Sequence, residues 1–141
     1  MANIKAIVEG TIVTPFQILK DGVVIFENNK IIAVGTKKEI SLPAGIKLIN
    51  ASDKFVVPGF IDLHVHGGGG YDTMDGSYEA IQKIAAAHAR FGTTALLPTA
   101  ITDSSERIIQ SIEAVNEAIQ RGTGTCQILG VHLEGPFINP G

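Results

Sequence analysis

The stretch VVPGFIDLHVHGGGG at residues 56–70 decides how the rest of the chain is interpreted. Side chains of a β-strand alternate between the two faces of the sheet. In a strand over 60–65, His64 and the following His66 therefore share a face with Asp62, while the apolar residues between them are expected to pack under helices. Two imidazoles at positions i and i+2 can bind one metal ion through neutral ring nitrogens. The pattern predicts a metal site at the carboxyl end of this strand, the alternative being polar residues that merely cap it.

A second stretch with the same alternation, GVHLEGPF at residues 130–137, lies in a later strand. His132 and Glu134 share a face there, and a carboxylate at this place can bind or bridge a divalent metal held by the first strand. On its own, Glu134 could equally accept a backbone hydrogen bond or pair with a cation. Beside His64 and His66 it is predicted to be a metal ligand. For His132, packing or orientation of a ligand is as well supported as ligation.

The second part of the chain, from residue 57, alternates predicted strands and helices. This rhythm is typical of a parallel sheet covered by helices, so the predicted fold class is α/β. The predicted elements are, in order, a strand over 60–65, a helix capped by Ser77, a strand over 94–97 ended by Pro98, a helix capped by Asp103 and a strand over 128–133. Residues 1–56 instead contain short β-prone runs separated by tight turns, which predicts a domain boundary after residue 56.

Composition and charge exclude several functional classes. The chain has 141 residues, 45% of them hydrophobic and 18% charged, as in globular domains. A net charge of −3 offers no basic surface, so nucleic acid is not expected as a partner. No apolar run approaches the ~20 residues that span a bilayer, and neither a membrane nor a signal peptide is expected. Cys126 is the only cysteine, which excludes an intrachain disulfide and favours a cytoplasmic location.

Three further features favour structural roles. The four glycines at 67–70 are interpreted as a turn beside the site, because no Gly-Lys-Ser/Thr follows them and a phosphate-binding P-loop is excluded. His88 lies on the apolar stripe of its helix and is predicted to be a satisfied or partly exposed core histidine. Cys126 has no basic neighbour in sequence and is predicted to be a structural thiol rather than a nucleophile.

Together these motifs resemble a known family. VVPGFIDLHVHGGGG is similar to a strand shared by many members of the amidohydrolase superfamily. The stretches GYDTMDG (70–76), TTALLPTAIT (93–102) and GVHLEGPFINP (130–140) narrow the resemblance to its N-acetylglucosamine-6-phosphate deacetylases. The resemblance implies a small β-sandwich joined to a (β/α)8 barrel. Residues 1–56 would form the N-terminal part of the sandwich, and residues 57–141 the first three strands and two helices of an incomplete barrel.

The resemblance also implies a reaction and its metal. Glu134 matches the family's metal-binding glutamate, and His64 and His66 match a first-strand pair present in members able to hold two metals. One or two divalent ions, zinc or iron, are therefore the expected cofactors. The implied reaction, in amino-sugar catabolism, is the hydrolysis of N-acetylglucosamine 6-phosphate to glucosamine 6-phosphate and acetate.

The family's two later metal-binding histidines, its catalytic aspartate and its substrate-binding residues are expected beyond position 141. The 141-residue chain alone is therefore predicted to be a part of the enzyme without useful deacetylase activity. Two alternatives stay open. One is an amidohydrolase acting on a cyclic amide or a nucleobase, which the Glu-Gly-Pro-Phe string disfavours, and the other is a non-catalytic metal-binding fragment.

An amino-sugar phosphate is the expected small-molecule partner, and a homo-oligomer is the expected assembly. The strands that carry Val24, Phe26, Ile32 and Val34 are expected to lack the partner strands of a completed sandwich. Unpaired strand edges and exposed apolar surface favour association between copies of the chain.

Overall fold

The computed structural model describes residues 4–139 and divides them into two compact units. The division falls between Pro58 and Gly59. The first unit is all β, whereas the second combines strands with two α-helices, so the chain is of mixed α/β type. No helix among residues 4–139 is long and apolar enough to cross a membrane.

The first unit is one five-stranded sheet. Its strands are β1 (Ile4–Val13), β2 (Ile18–Glu27), β3 (Lys30–Thr36), β4 (Lys47–Asn50) and β5 (Phe55–Val56). The order across the sheet is β3-β2-β1-β4, with β5 also paired to β1. The strands β1, β2 and β3 form an antiparallel meander, whereas β4 and β5 run parallel to β1.

The two faces of this sheet are covered to different extents. On one face a small core of Ala6, Val8, Val23 and Ile25 is closed by the loop after β3. The other face lines an apolar cavity of about 540 Å³, whose wall includes the almost fully exposed Phe16.

The expected exposure of apolar side chains on these strands holds for β3 and not for Val24. Val24 is buried on β2, which is paired on both sides by β1 and β3. Ile32 and Val34 are exposed on β3, which stands at the edge of the sheet.

The second unit is built around a parallel sheet. Its elements are β6 (Phe60–Val65), β7 (Gly67–Gly68), β8 (Tyr71–Asp72), a 3₁₀ turn (Thr73–Asp75), α1 (Tyr78–Ala89), β9 (Thr93–Ala100), α2 (Ser105–Arg121), β10 (Gln127–Ile128) and β11 (His132–Leu133). β9 is central, because β6, β10 and β11 all pair with it in parallel.

Two strand predictions were wrong at β9 and beyond it. Pro98 does not end its strand. It lies inside β9 where the register with β6 shifts, so the missing N–H falls at an irregular point of the ladder. The strand predicted over 128–133 is two short strands, β10 and β11, because the ladder with β9 is interrupted after Leu129, whose N–H still donates to the Leu96 carbonyl.

The helices follow capping chemistry closely. Ser77 caps α1 as predicted, its hydroxyl accepting from the Ala80 N–H. The prediction that Asp103 caps α2 was wrong, since the cap is Ser104, which accepts from the Arg107 N–H. The Asp103 carboxylate instead forms an ion pair with the Arg107 side chain at 2.8 Å.

Both helices pack on the sheet around a closed apolar core. Its largest fully buried side chains include Ile81, Ile84, Leu96 and Val115. Val65 of β6 joins this core as predicted, but Ile61 and Leu63 remain 60% and 61% exposed. Among the described strands, β6 pairs with β9 alone, and the helices do not cover its first half.

Cys126 is buried in the same core. Its single S–H lies within hydrogen-bond distance of two carbonyls, those of Thr93 (3.0 Å) and Ala85 (3.3 Å). Burial raises the pKa of the Cys126 thiol, because the thiolate would lose its hydration. Both observations fit the structural role predicted for it.

Candidate metal centre

Three side chains converge at the carboxyl ends of β6 and β11. The Nε2 atoms of His64 and His66 are 3.0 Å apart. The Glu134 Oε2 atom lies 3.2 Å from His64 Nε2 and 3.1 Å from His66 Nε2. The three side chains are 39–47% exposed, so the group can be reached from solvent. The trio that the sequence predicted therefore meets at one point.

For an ionised carboxylate, no choice of imidazole protonation turns all three contacts into hydrogen bonds. A ring nitrogen either carries a proton or offers a lone pair, so it cannot donate to one neighbour and accept from the other. At least one edge of the triangle therefore sets two donors or two lone pairs against each other. One divalent cation can accept lone pairs from all three atoms, and at bond lengths of about 2.0–2.2 Å its ligands stand roughly 3.3 Å apart. The donor set of two imidazoles and a carboxylate fits such an ion.

A local irregularity in β6 lies in the segment that carries both imidazoles. β6 has one residue more than β9 between the pairs Asp62–Leu96 and Val65–Pro98, which is a bulge. Asp62 Oδ1 accepts from the His64 N–H at 3.1 Å. The sequence predicted that Asp62 shares a face with the two histidines, and its carboxylate accepts a hydrogen bond from the backbone of this bulge.

Backbone contacts of the central strand hold Glu134. Its N–H donates to the Ala100 carbonyl at 2.8 Å, and its carbonyl accepts from the Thr102 hydroxyl at 3.3 Å. Gly135 follows with φ = 113°, and a Cβ there would collide with the Thr102 side chain. Glycine is thus required directly after the carboxylate.

His132 lies beside the trio and outside its group of ligand atoms. Its Nδ1 contacts the Leu63 carbonyl at 3.1 Å, and its ring packs edge-on against His64 with centroids 4.5 Å apart. Of the alternatives left open by the sequence, these contacts favour packing and orientation of His64 over ligation.

The glycines at 67–70 form a tight hairpin next to His66. β7 and β8 pair across Gly69 and Gly70, which have φ of 64° and 87°. His88 Nε2 contacts the Gly67 carbonyl at 3.0 Å, so this half-buried ring is satisfied as predicted.

Two acidic residues near this hairpin have structural duties. Asp72 caps the 3₁₀ turn by accepting from the Met74 N–H at 2.8 Å. Asp75 accepts from the Asp72 N–H at 2.9 Å. Their carboxylates complete a reciprocal cap and do not join the group of ligand atoms.

Comparison with known proteins gives a consistent picture. The profile described as "Amidohydrolase family" matches residues 55–141. An N-acetylglucosamine-6-phosphate deacetylase of Bacillus subtilis is 35% identical over 99% of this chain and 36% of its own length. An N-acetylgalactosamine-6-phosphate deacetylase of Escherichia coli O157:H7 is 35% identical over 70% of this chain and 26% of its own length.

Structural comparison extends over both units. The crystal structure of N-acetylglucosamine-6-phosphate deacetylase from Pasteurella multocida matches 97% of this chain with a TM-score of 0.86 and 27% identity. The match covers 35% of that chain. This chain thus spans about a third of the length of the relatives that it matches over nearly all its residues.

Proposed function

Because this chain belongs to the amidohydrolase family, we propose that residues 1–141 supply the first part of the metal centre of a deacetylase acting on N-acetylglucosamine 6-phosphate. The observation that carries the proposal is the triangle of His64, His66 and Glu134, whose three ligand atoms one shared cation would satisfy together. The family is metal-dependent, and zinc and iron both suit two imidazoles and a carboxylate.

The fold proposed for the two units follows from the same family. Residues 1–56 would belong to a small β-sandwich, and residues 57–141 to the start of a (β/α)8 barrel. The parallel pairing of β6, β9 and β11 with one helix between successive strands supports the barrel. The ligand atoms lie at the carboxyl ends of these strands, where such barrels build their sites.

In the proposed reaction the three side chains have two roles: they bind the metal ion, and they offset part of its charge. His64 and His66 would hold the ion through Nε2, and Glu134 would offset part of its positive charge. The bound metal would supply Lewis-acid polarisation of the acetamide carbonyl. The backbone contacts of Glu134 and the bulge of β6 keep the ligand atoms in place before the ion arrives.

Proton transfer needs a further group. Deacetylation requires a base near the attacking water and an acid for the departing amine. Asp62, Asp72 and Asp75 are each committed to backbone N–H groups. We therefore expect the 141-residue chain alone to bind a metal without useful turnover.

We further propose a homo-oligomer and a cytoplasmic location. The exposed edge strand β3 and the apolar cavity beside it favour contact between copies. The single buried thiol of Cys126 suits a reducing compartment.

The first test of this proposal is metal binding by the chain itself. Zn²⁺ titration against a chromophoric chelator should give one strong site. Glu134→Gln should weaken binding at least about 100-fold, because removing a ligand costs more than the 10–100-fold typical of residues behind the ligands. Glu113→Gln, an exposed carboxylate on α2, is the matched control and should bind as the unmodified chain does. Equal binding by both variants would refute the site.

The second test concerns the reaction. A chimera in which this chain replaces the matching segment of the Bacillus subtilis relative should release acetate from N-acetylglucosamine 6-phosphate, and the Glu134→Gln chimera should not. Turnover of the galactosamine isomer alone would overturn the sugar assignment and leave the chemistry intact. A folded, metal-loaded chimera without activity on either sugar would overturn the function.

A further inference from the structure

One hydroxyl group is inserted into the ladder between β6 and β9. The Val65 N–H donates to Thr99 Oγ1 at 2.9 Å, and Thr99 Oγ1 donates to the Leu97 carbonyl at 3.3 Å. The hydroxyl therefore bridges two backbone groups that the bulge of β6 keeps from pairing directly. Thr99 is fully buried, so water does not replace either contact.

The place of this hydroxyl links both halves of the metal centre. Val65 lies between His64 and His66, so its N–H fixes the segment that carries both imidazoles. On its other side Thr99 is the register partner of His132 in β11, two residues before Glu134. Thr99 thus lies between the two ligand-bearing strands and contacts no ligand atom in the described chain.

We propose that Thr99 is a positioning residue of the metal centre, its hydroxyl setting the separation between the imidazole pair and the carboxylate. The inference rests on the metal site proposed above. Without the hydroxyl, the Val65 N–H and the Leu97 carbonyl would both be buried and unpaired, and β6 would shift to restore a direct ladder contact. Such a shift moves both imidazoles and leaves Glu134 in place, because Glu134 is held by Ala100 and Thr102.

Three variants test this. Thr99→Val keeps the branched shape and removes the hydroxyl, whereas Thr99→Ser keeps the hydroxyl and removes a methyl group. Ser111→Ala is the control, because Ser111 is an equally buried hydroxyl that bonds to the Ile108 carbonyl within α2. Each variant is measured for Zn²⁺ affinity, for the visible absorption of bound Co²⁺, and for metal-free stability in urea.

Thr99→Val should lose about 10–100-fold in Zn²⁺ affinity, the range for residues that orient ligands, and should change the Co²⁺ spectrum. Thr99→Ser and Ser111→Ala should keep the affinity within about threefold, even where the free energy of unfolding falls. If Thr99→Val binds like Ser111→Ala, the inference is wrong and the metal site stands. If the unmodified chain binds no metal, both the proposed metal site and the role of Thr99 are wrong.

A measurement on the unmodified chain remains if Thr99→Val does not fold. The Val65 amide should then exchange its hydrogen as slowly as the amides paired in the centre of β9. Fast exchange of the Val65 amide would overturn the inference without any variant.

Discussion

The two units cover the faces of their sheets to different degrees. In residues 59–139, α1 and α2 close one face over a continuous core that includes Ile84 and Leu96. In residues 4–58 the core is small, and the opposite face opens into a cavity of about 540 Å³. The unit that carries the candidate metal centre is thus the better closed of the two. Ligands spaced to within tenths of an ångström need a rigid frame, and helices packed on the sheet supply it.

The largest expected effect is in the core of the second unit. Ile84→Ala should lower the free energy of unfolding by about 2–5 kcal/mol, because the side chain is fully buried and leaves a cavity. Ile32→Ala makes the same chemical change on β3, where the side chain is 55% exposed, and should cost no more than about 0.5 kcal/mol. Urea denaturation of the metal-free chain measures both. Similar losses would show that the two units are equally well packed.

A smaller effect concerns the exposed edge strand β3 of the first unit. Ile32→Lys places a charge on the exposed edge strand and should reduce self-association, because charged edge residues oppose strand pairing. Phe91→Lys, at an 81% exposed position of the second unit, is the matched control and should leave association unchanged. Light scattering over a concentration series gives the mass of each. A monomer at every concentration for the unmodified chain would contradict the proposed assembly.

The smallest expected effect is a pH dependence in the turn after β3. The Thr36 N–H and hydroxyl both donate to Glu39 Oε2 at 2.8 Å and hold the pKa of the Glu39 carboxyl below its ordinary value. Because the folded-state pKa is the lower one, this stabilisation is present above the unfolded-state pKa and is lost as pH falls through the folded-state pKa. Glu39→Gln should therefore be slightly less stable at neutral pH, and the difference should vanish in acid. A pH series of urea midpoints checks this, with Glu113→Gln as the control.

The sequence predicts that His64, His66 and Glu134 lie close together, because alternation along a strand depends on local geometry alone. His64 and His66 share a face by their spacing, and Glu134 joins them because parallel strands end at one edge. The alternation does not report what Asp62 does on that face. Its carboxylate accepts from the His64 N–H beside a one-residue bulge in β6, and strand periodicity contains no sign of the bulge.

Thr99 and Thr102 were missed for a related reason. Their roles come from pairing with strands more than 30 residues away, which no local pattern reports. Pro98 could have predicted the irregular pairing of β6 with β9, because a proline inside a central strand requires an irregular ladder beside it. The sequence interpretation took it instead as the end of a strand. The cap of α2 was predicted one residue early, because Asp103 and Ser104 are both good capping residues and the sequence pattern does not choose between them. In the structure Ser104 accepts from the Arg107 N–H, and Asp103 pairs with the Arg107 side chain.

The lone thiol of Cys126 gives the chain a built-in reporter. It sits between α1 and β9, bonded to Ala85 and Thr93, and its raised pKa keeps it unreactive while these elements stay together. A thiol reagent can label it only when the helical layer opens, so the labelling rate in the native state measures the free energy of that opening. The first unit contains no cysteine and stays silent in such an experiment. The dynamics of one half of the molecule can therefore be followed without introducing a probe or removing a competing one.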